Sequence, residues 1–324
     1  MRPIIFAAAP LAAVVVLGAM IAFGTRAPPP ALDLIGDPFK NADYSDLPPV
    51  TSVRARDGTS LAVHIYRPPG EPAEASRVAI AVHGSSATGS SLHFLAKTLR
   101  DAGFTVYAPD IRGHGGSGRR GDIDYANQLD DDLADLVAAA RAAHPKASLT
   151  LVGFSSGGGF ALHAAATPLG REFIRTVLVS PMLGPQAPTV SDTLSDWARP
   201  YLPRIIAQVI LGRLGIHAFD GLPALAFAIA PENADRLTGV YSFRMMVGFG
   251  TRDYAADLRN AQSPLSVLVG SNDKLFSAER FAPTVHAQRP DVPVTVVPGL
   301  GHVEMTIEPA GLEAIVAQAQ SKQI

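Results

Sequence analysis

Gly153-Phe154-Ser155-Ser156-Gly157 is a G-x-S-x-G pentapeptide. A serine hydroxyl is a weak nucleophile at neutral pH. It becomes useful only where a base removes its proton and a third group orients that base. The pentapeptide alone says little, because glycine and serine are common, but its flanks say more. Ala147-Ser148-Leu149-Thr150-Leu151-Val152 reads as a short buried strand, and Gly158 to Ala165 reads as a helix. A strand, a tight turn centred on serine and a helix form the context in which such a hydroxyl stands out at the carboxyl edge of a sheet. The glycines permit the sharp bend and the close approach of strand and helix. Ser155 is therefore the candidate nucleophile.

The base should be a histidine, whose pKa lies near working pH. Nine are available. His64 falls in a predicted strand, His93, His144, His163 and His286 on predicted helices, and His217 in a later, irregular region. His302 differs: it follows the strand Val294 to Val297 within Pro298-Gly299-Leu300-Gly301-His302, a glycine-rich loop at a strand's carboxyl end. The orienting acid should also come from a strand end. Pro264 to Val269 leads into Gly270-Ser271-Asn272-Asp273, so Asp273 is the candidate. Asp110 follows an earlier strand and fits the chain order less well, while Asp130, Asp131 and Asp132 read as the solvated face of a helix. Ser180-Pro181-Met182, after another strand, supplies no acid. The order Ser155, Asp273, His302 is that of a nucleophile-elbow triad. Acyl transfer also needs donors for a developing oxyanion. The backbone N–H of Ser156 is one, and that of Ser85, in the loop His83-Gly84-Ser85-Ser86, is the best second. His83 itself reads as a loop brace.

These residues need a frame that brings several strand ends together. Thr51 to Arg56 and Thr59 to Arg67 alternate around Asp57-Gly58, a hairpin signal. Strands at Arg77 to Val82, Phe104 to Ala108 and Ile174 to Val179 alternate with helices at Ser91 to Ala102 and Ile123 to Ala143. The same rhythm resumes from Pro264 and ends in a helix from Pro309 to Gln320. Such alternation predicts a mostly parallel central sheet covered by helices, with its ligand at the carboxyl edge. Residues 182–262 break the rhythm and predict a helical lid, dividing the core into 31–181 and 263–324.

Composition excludes other chemistries. With 47% hydrophobic and 17% charged residues the chain can bury a large core. A net charge of −2 gives no nucleic-acid footprint, and the absence of cysteine rules out disulfides, thiolate nucleophiles and cysteine-held metals. No metal or organic cofactor is called for. Ile4 to Gly24 is a run of twenty-one uncharged residues, long enough to cross a bilayer core of about 30 Å. It predicts a single amino-terminal membrane anchor with the catalytic domain on the extracytoplasmic side, and Ala27-Pro28-Pro29-Pro30 as a stiff spacer. A signal cleaved near Ala22-Phe23-Gly24, giving a secreted or periplasmic protein, is the alternative.

With the triad in place, the chain resembles the α/β-hydrolase fold serine hydrolases, and more narrowly the monoacylglycerol lipase and lysophospholipase-like group. Asp110-Ile111-Arg112-Gly113-His114-Gly115-Gly116-Ser117 matches that group's D-x-R-G-H-G-x-S loop, whose role there is structural. Two motifs depart from it: Phe154 stands where the group often has histidine, and Ser85-Ser86 stands where a bulky residue and glycine are usual. The resemblance implies an α/β-hydrolase fold and a carboxylic-ester hydrolase acting on a small-molecule ester, lipid or otherwise apolar. An acyltransferase, a thioesterase or a peptidase could run on the same triad, and a non-catalytic binding protein could use the same fold.

Overall fold

Strand β3 (Arg77–Val82) shows how the core is divided. Its side chains alternate between two faces, as a pleated strand requires. Val78, Ile80 and Val82 enter one apolar cluster, while Ala79 and Ala81 enter another. A strand apolar on both faces needs cover on both, and the computed structural model supplies it. It describes residues 3–32, 35, 39, 42–70 and 75–321, with side chains from residue 12 onward.

The hairpin of β1 (Val50–Arg54) and β2 (Ser60–Tyr66) turns at Gly58, whose φ of +87° suits glycine. The other strands of the sheet are β4 (Thr105–Pro109), β5 (Ser148–Phe154), β6 (Phe173–Val179), β10 (Leu265–Gly270) and β11 (Val294–Val297). Their order is β1-β2-β4-β3-β5-β6-β10-β11. The first two strands run antiparallel to their neighbours and the remaining six are parallel. Helix α2 (His93–Asp101) and helix α10 (Pro309–Gln320) cover one face through Leu95, Leu99 and Ile315. Helices α3 (Gln128–Ala143), α4 (Ser156–Ala166) and α9 (Ala278–His286) cover the other through Leu133, Leu136, Phe160 and Phe281. Residues 123–127 stay outside α3, because Asp122 accepts the Ile123 N–H and Gln128 accepts the Asp124 N–H, holding a turn there.

The segment between β6 and β10 is not purely helical, which corrects the expectation of a helical lid. It holds α5 (Leu194–Trp197), α6 (Leu202–Arg213), α7 (Phe243–Gly248) and α8 (Tyr254–Asn260). Among them lies a second, antiparallel sheet of β7 (Ala198–Pro200), β8 (Pro223–Phe227) and β9 (Val240–Ser242). Strands of three to five residues carry too little alternation to declare themselves in sequence.

The amino terminus requires a larger correction. Among the described residues no helix is long and apolar enough to cross a membrane, so the single anchor over residues 4–24 does not stand. Helix α1 (Pro3–Phe23) is instead tied at its carboxyl end to the insertion. Ile21 is buried, and the buried guanidinium of Arg204 on α6 donates to the carbonyls of Ile21 (2.8 Å) and Ala22 (3.4 Å). A cation there satisfies carbonyls that a helix end leaves open. The proline-rich run is no free spacer either. Arg199 donates to the carbonyls of Ala27 and Pro28, and Pro29 is buried.

Candidate active site

Ser155 sits between β5 and α4 with φ +55° and ψ −119°, a conformation that side chains larger than glycine's rarely adopt. The surrounding backbone enforces it. The Ser155 N–H donates to the Val179 carbonyl, and the Ser155 carbonyl accepts from the N–H groups of Gly158, Gly159 and Met182. The flanking glycines are needed for space. A Cβ at Gly157 would lie 2.3 Å from the His83 carbonyl oxygen, and one at Gly153 would lie 2.2 Å from that of Gly157.

The structure brings Ser155, His302 and Asp273 together in one hydrogen-bonded line. His302 Nε2 is 3.0 Å from Ser155 Oγ, and His302 Nδ1 is 2.8 Å from Asp273 Oδ2. All three are buried, with exposures of 8%, 3% and 8% for Ser155, His302 and Asp273. Asp273 is itself fixed, because its Oδ1 accepts from the backbone N–H groups of Leu275 (2.9 Å) and Phe276 (3.1 Å). The His302 ring lies between two phenyl rings, Phe154 at 4.9 Å and Phe276 at 5.2 Å between centroids. The Phe154 that departs from the group's usual motif thus packs on the imidazole beside it.

The loop after β3 approaches the nucleophile closely. A Cβ on Gly84 would be 3.2 Å from the Cβ of Ser155. Among the described residues, neither the Ser85 nor the Ser156 N–H has a protein acceptor. The loop is braced from below and from above. His83, fully buried, donates from Nδ1 to the Gly84 carbonyl and accepts the Ile111 N–H at Nε2. Burial pushes its pKa down, so it stays neutral as a brace. From the insertion, Tyr241 Oη accepts the Ser86 N–H (2.7 Å) and donates to His114 Nε2, while Ser86 Oγ donates to the Thr238 carbonyl. Burial raises the Tyr241 phenol pKa, and burial followed by the neighbouring His83 holds His114 well below its usual range. The pair therefore remains an O–H donor facing a neutral ring.

The remaining acids have other duties. Asp110 accepts from the N–H groups of Gly89 and Gly116, and Asp132 holds Arg112 with two bonds of 2.7 Å. Asp131 meets Arg56, and Asp130 faces His163. The D-x-R-G-H-G-x-S loop is accordingly scaffolding beneath the site.

A narrow, partly open pocket lies over Ser155. Phe154, Trp197, Leu275 and Val303 supply apolar walls, together with Ile35 and Phe39 from the amino-terminal segment. Trp197 Nε1 lies 3.4 Å from Ser85 Oγ. Sequence reasoning misses Tyr241, Phe276, Ile35 and Phe39. Phe276 has a faint signal, three residues after the candidate acid, whereas the others reach the site only through tertiary packing.

Comparisons with known proteins agree with this architecture. Residues 73–310 match the model of the Hydrolase_4 family, described as serine aminopeptidase, S33. A monoacylglycerol lipase of Mycolicibacterium smegmatis is 28% identical over 261 residues, covering 76% of this chain and 86% of the lipase. A 2-(acetamidomethylene)succinate hydrolase of Mesorhizobium japonicum is 28% identical over 252 residues, covering 70% of this chain and 82% of that protein. The crystal structure of a soluble variant of monoglyceride lipase from Saccharomyces cerevisiae, in complex with a substrate analog, superimposes with a TM-score of 0.60 at 17% identity. That match covers 85% of this chain and 94% of the yeast one.

Proposed function

The chain belongs to the Hydrolase_4 (serine aminopeptidase, S33) family and is an α/β-hydrolase of the carboxylic-ester hydrolase type; on that premise we propose that Ser155, His302 and Asp273 cleave esters of apolar acyl groups through an acyl-enzyme. Ser155 Oγ attacks the ester carbonyl carbon while His302 Nε2 takes its proton. Asp273 accepts the Nδ1–H bond and stabilises the imidazolium. The N–H groups of Ser85 and Ser156 receive the developing oxyanion, each such donor contributing about 2.7–4 kcal/mol to the barrier reduction. Collapse of the tetrahedral intermediate expels the alcohol, which takes the proton from His302. The same imidazole then deprotonates water, and the acid is released from Ser155.

The observation that carries this reading is the line of contacts from Ser155 Oγ through His302 to Asp273, at 3.0 and 2.8 Å, with the serine in a strained turn. The apolar acyl preference rests on the pocket. Among its described lining residues none is acidic or basic apart from His302. An aminopeptidase would need a carboxylate near the scissile bond to hold a substrate's ammonium group, so the aminopeptidase activity in the family's description is the less favoured reading here. Residues 182–262 serve as the lid in this scheme, with Trp197 closing one side of the pocket.

The test is covalent labelling with an alkyl fluorophosphonate, followed by turnover of a panel of p-nitrophenyl esters, thioesters and amides. The wild type should be labelled and should turn over esters fastest, and Ser155→Ala should lose both activities. A labelled Ser155→Ala protein, or faster cleavage of amino-terminal amides than of esters, would overturn the proposal.

A further inference from the structure

Among the described residues, three that are not glycine have φ in the left-handed region: Ser155 at +55°, Ser180 at +40° and Ser86 at +71°. A side chain makes that conformation costly, so it persists only where neighbouring contacts enforce it. For Ser155 the turn itself is the reason, and Ser180 directly follows the Val179 carbonyl that receives the Ser155 N–H. Ser86 has no such place in the elbow. It is buried, and it comes directly after Ser85 in the loop that approaches the nucleophile.

The contacts that enforce Ser86 come from the insertion, at β9 and just before it. The Ser86 N–H donates to Tyr241 Oη (2.7 Å), its Oγ donates to the Thr238 carbonyl (2.6 Å), and its own carbonyl accepts the Thr238 N–H (2.8 Å). The Tyr241 oxygen is free to accept because its proton goes to His114 Nε2, while His114 Nδ1 donates to the Ile111 carbonyl (3.1 Å). The Ser85 N–H thus stands between two pinned peptide groups. A peptide group is planar, so the bond from His83 Nδ1 to the Gly84 carbonyl sets the plane that carries the Ser85 N–H. The Tyr241 bond sets the next plane, at the Ser86 N–H. Turning Ser86 out of its left-handed conformation would swing that second plane and carry Ser85 with it.

From this arrangement we infer that Tyr241 is a positioning residue for the oxyanion site. Its hydroxyl, oriented by His114, keeps Ser86 left-handed and thereby aims the Ser85 N–H at the place where the ester oxygen gathers charge. Aim matters because a donor stabilises the oxyanion only within about 2.7–3.1 Å and helps most when it is fixed beforehand. The insertion therefore contributes to the rate of the reaction and not only to the walls of the pocket. The inference rests on the proposed chemistry, because an N–H can be aimed only at an oxyanion that forms.

Glycine takes a positive φ without a side-chain penalty, and this separates aiming from general support. Tyr241→Phe keeps the ring and loses only the hydroxyl. On p-nitrophenyl butyrate it should lower kcat about tenfold to a hundredfold, with KM within about twofold of wild type. Its affinity for an alkyl trifluoromethyl ketone, whose adduct with Ser155 carries the oxyanion, should weaken by the same factor as kcat/KM. In a Ser86→Gly background the Tyr241→Phe change should cost less than about threefold in kcat. Ser86→Ala and Ser86→Gly both lose the hydroxyl, but only alanine keeps the strain, so kcat of Ser86→Ala should lie about tenfold below that of Ser86→Gly. That pair carries the test if Tyr241→Phe does not fold. An active wild type in which Tyr241→Phe stays within about twofold, or costs the same factor in both backgrounds, or in which Ser86→Ala matches Ser86→Gly, overturns the positioning role and leaves the triad standing. A wild type that neither turns over the ester nor reacts with an alkyl fluorophosphonate overturns the proposed chemistry, and the positioning role falls with it.

Discussion

Replacing Asp273 by asparagine tests the triad through one oxygen atom. Asp273 Oδ1 accepts two backbone N–H groups, from Leu275 and Phe276, while Oδ2 accepts from His302 Nδ1. In Asp273→Asn the amide must choose an orientation. If its oxygen keeps the two backbone donors, its NH2 faces His302 and forces Nδ1 to become an acceptor. The imidazole proton then moves to Nε2 and points at Ser155 Oγ, which leaves the serine without a base. The opposite orientation sets the NH2 against two N–H groups. Each orphaned buried donor costs about 1–3 kcal/mol, so this orientation lies at least about 3 kcal/mol higher. At 1.36 kcal/mol per factor of ten, fewer than about one molecule in a hundred has the working tautomer. Loss of the charge that stabilises the imidazolium adds to this, and kcat should fall by about 10³–10⁴. Asp273→Ala removes the directing NH2 as well as the charge, so it should be no less active than the isosteric asparagine variant. The assay is kcat/KM on p-nitrophenyl butyrate, with thermal melting to confirm that both variants are folded. An asparagine variant within tenfold of wild type, or one tenfold more active than the alanine variant, would refute the tautomer argument.

Two further perturbations probe the surroundings. Phe154→Ala removes a ring 4.9 Å from the His302 centroid and should lower kcat about tenfold with little change in KM, whereas Phe154→His keeps an aromatic face there and should stay within threefold; equal losses in both variants would deny the ring contact a role. His163 on α4 lies 3.6 Å from Asp130 and 3.4 Å from Asp257, and contacts with Asp130 first and Asp257 second push its pKa up to about 9. A folded-state pKa above the unfolded value of about 6.5 means that the stabilisation is fully present below pH 6.5 and is lost as pH rises through 9. The imidazole is partly open to solvent, so about 1 kcal/mol is at stake; the wild-type Tm should drop about 1–2 °C more between pH 7 and 10 than that of His163→Gln, and parallel curves would contradict the pairing.

The parts of the site that sequence reveals are those governed by local sterics. A G-x-S-x-G turn needs its glycines because carbonyl oxygens lie within about 2.3 Å of where a Cβ would stand, and such a demand leaves a mark in the sequence. Asp273 and His302 can be found because parallel strands deliver their carboxyl ends to one edge, whatever the intervening chain does. The unbroken apolar run of β3 announces a sheet covered on both sides. What stays hidden depends on contacts between distant segments. Tyr241 lies 155 residues from the Ser86 N–H that it accepts, and nothing near it in sequence marks that duty. The three short strands of the insertion pair only with one another, so their register has no local signature. Residues 4–24 show the reverse case. As an uncharged run they suggest an anchor, yet among the described residues no helix is long and apolar enough to cross a membrane, and Arg204, far along the chain, takes the carbonyls at the end of α1 and fastens it to α6.

The Tyr241 hydroxyl also limits how the insertion can move. It is bonded at once to the Ser86 N–H and to His114 Nε2, and Thr238 close by is joined to the same loop through its N–H and carbonyl. These partners are buried, and lifting β9 away would expose or orphan all of them together. This part of the insertion behaves as a bolt rather than a flap. Any opening of the pocket must therefore come from a part of its wall other than β9, such as Trp197, whose hold on the loop is a single long contact of 3.4 Å to Ser85 Oγ.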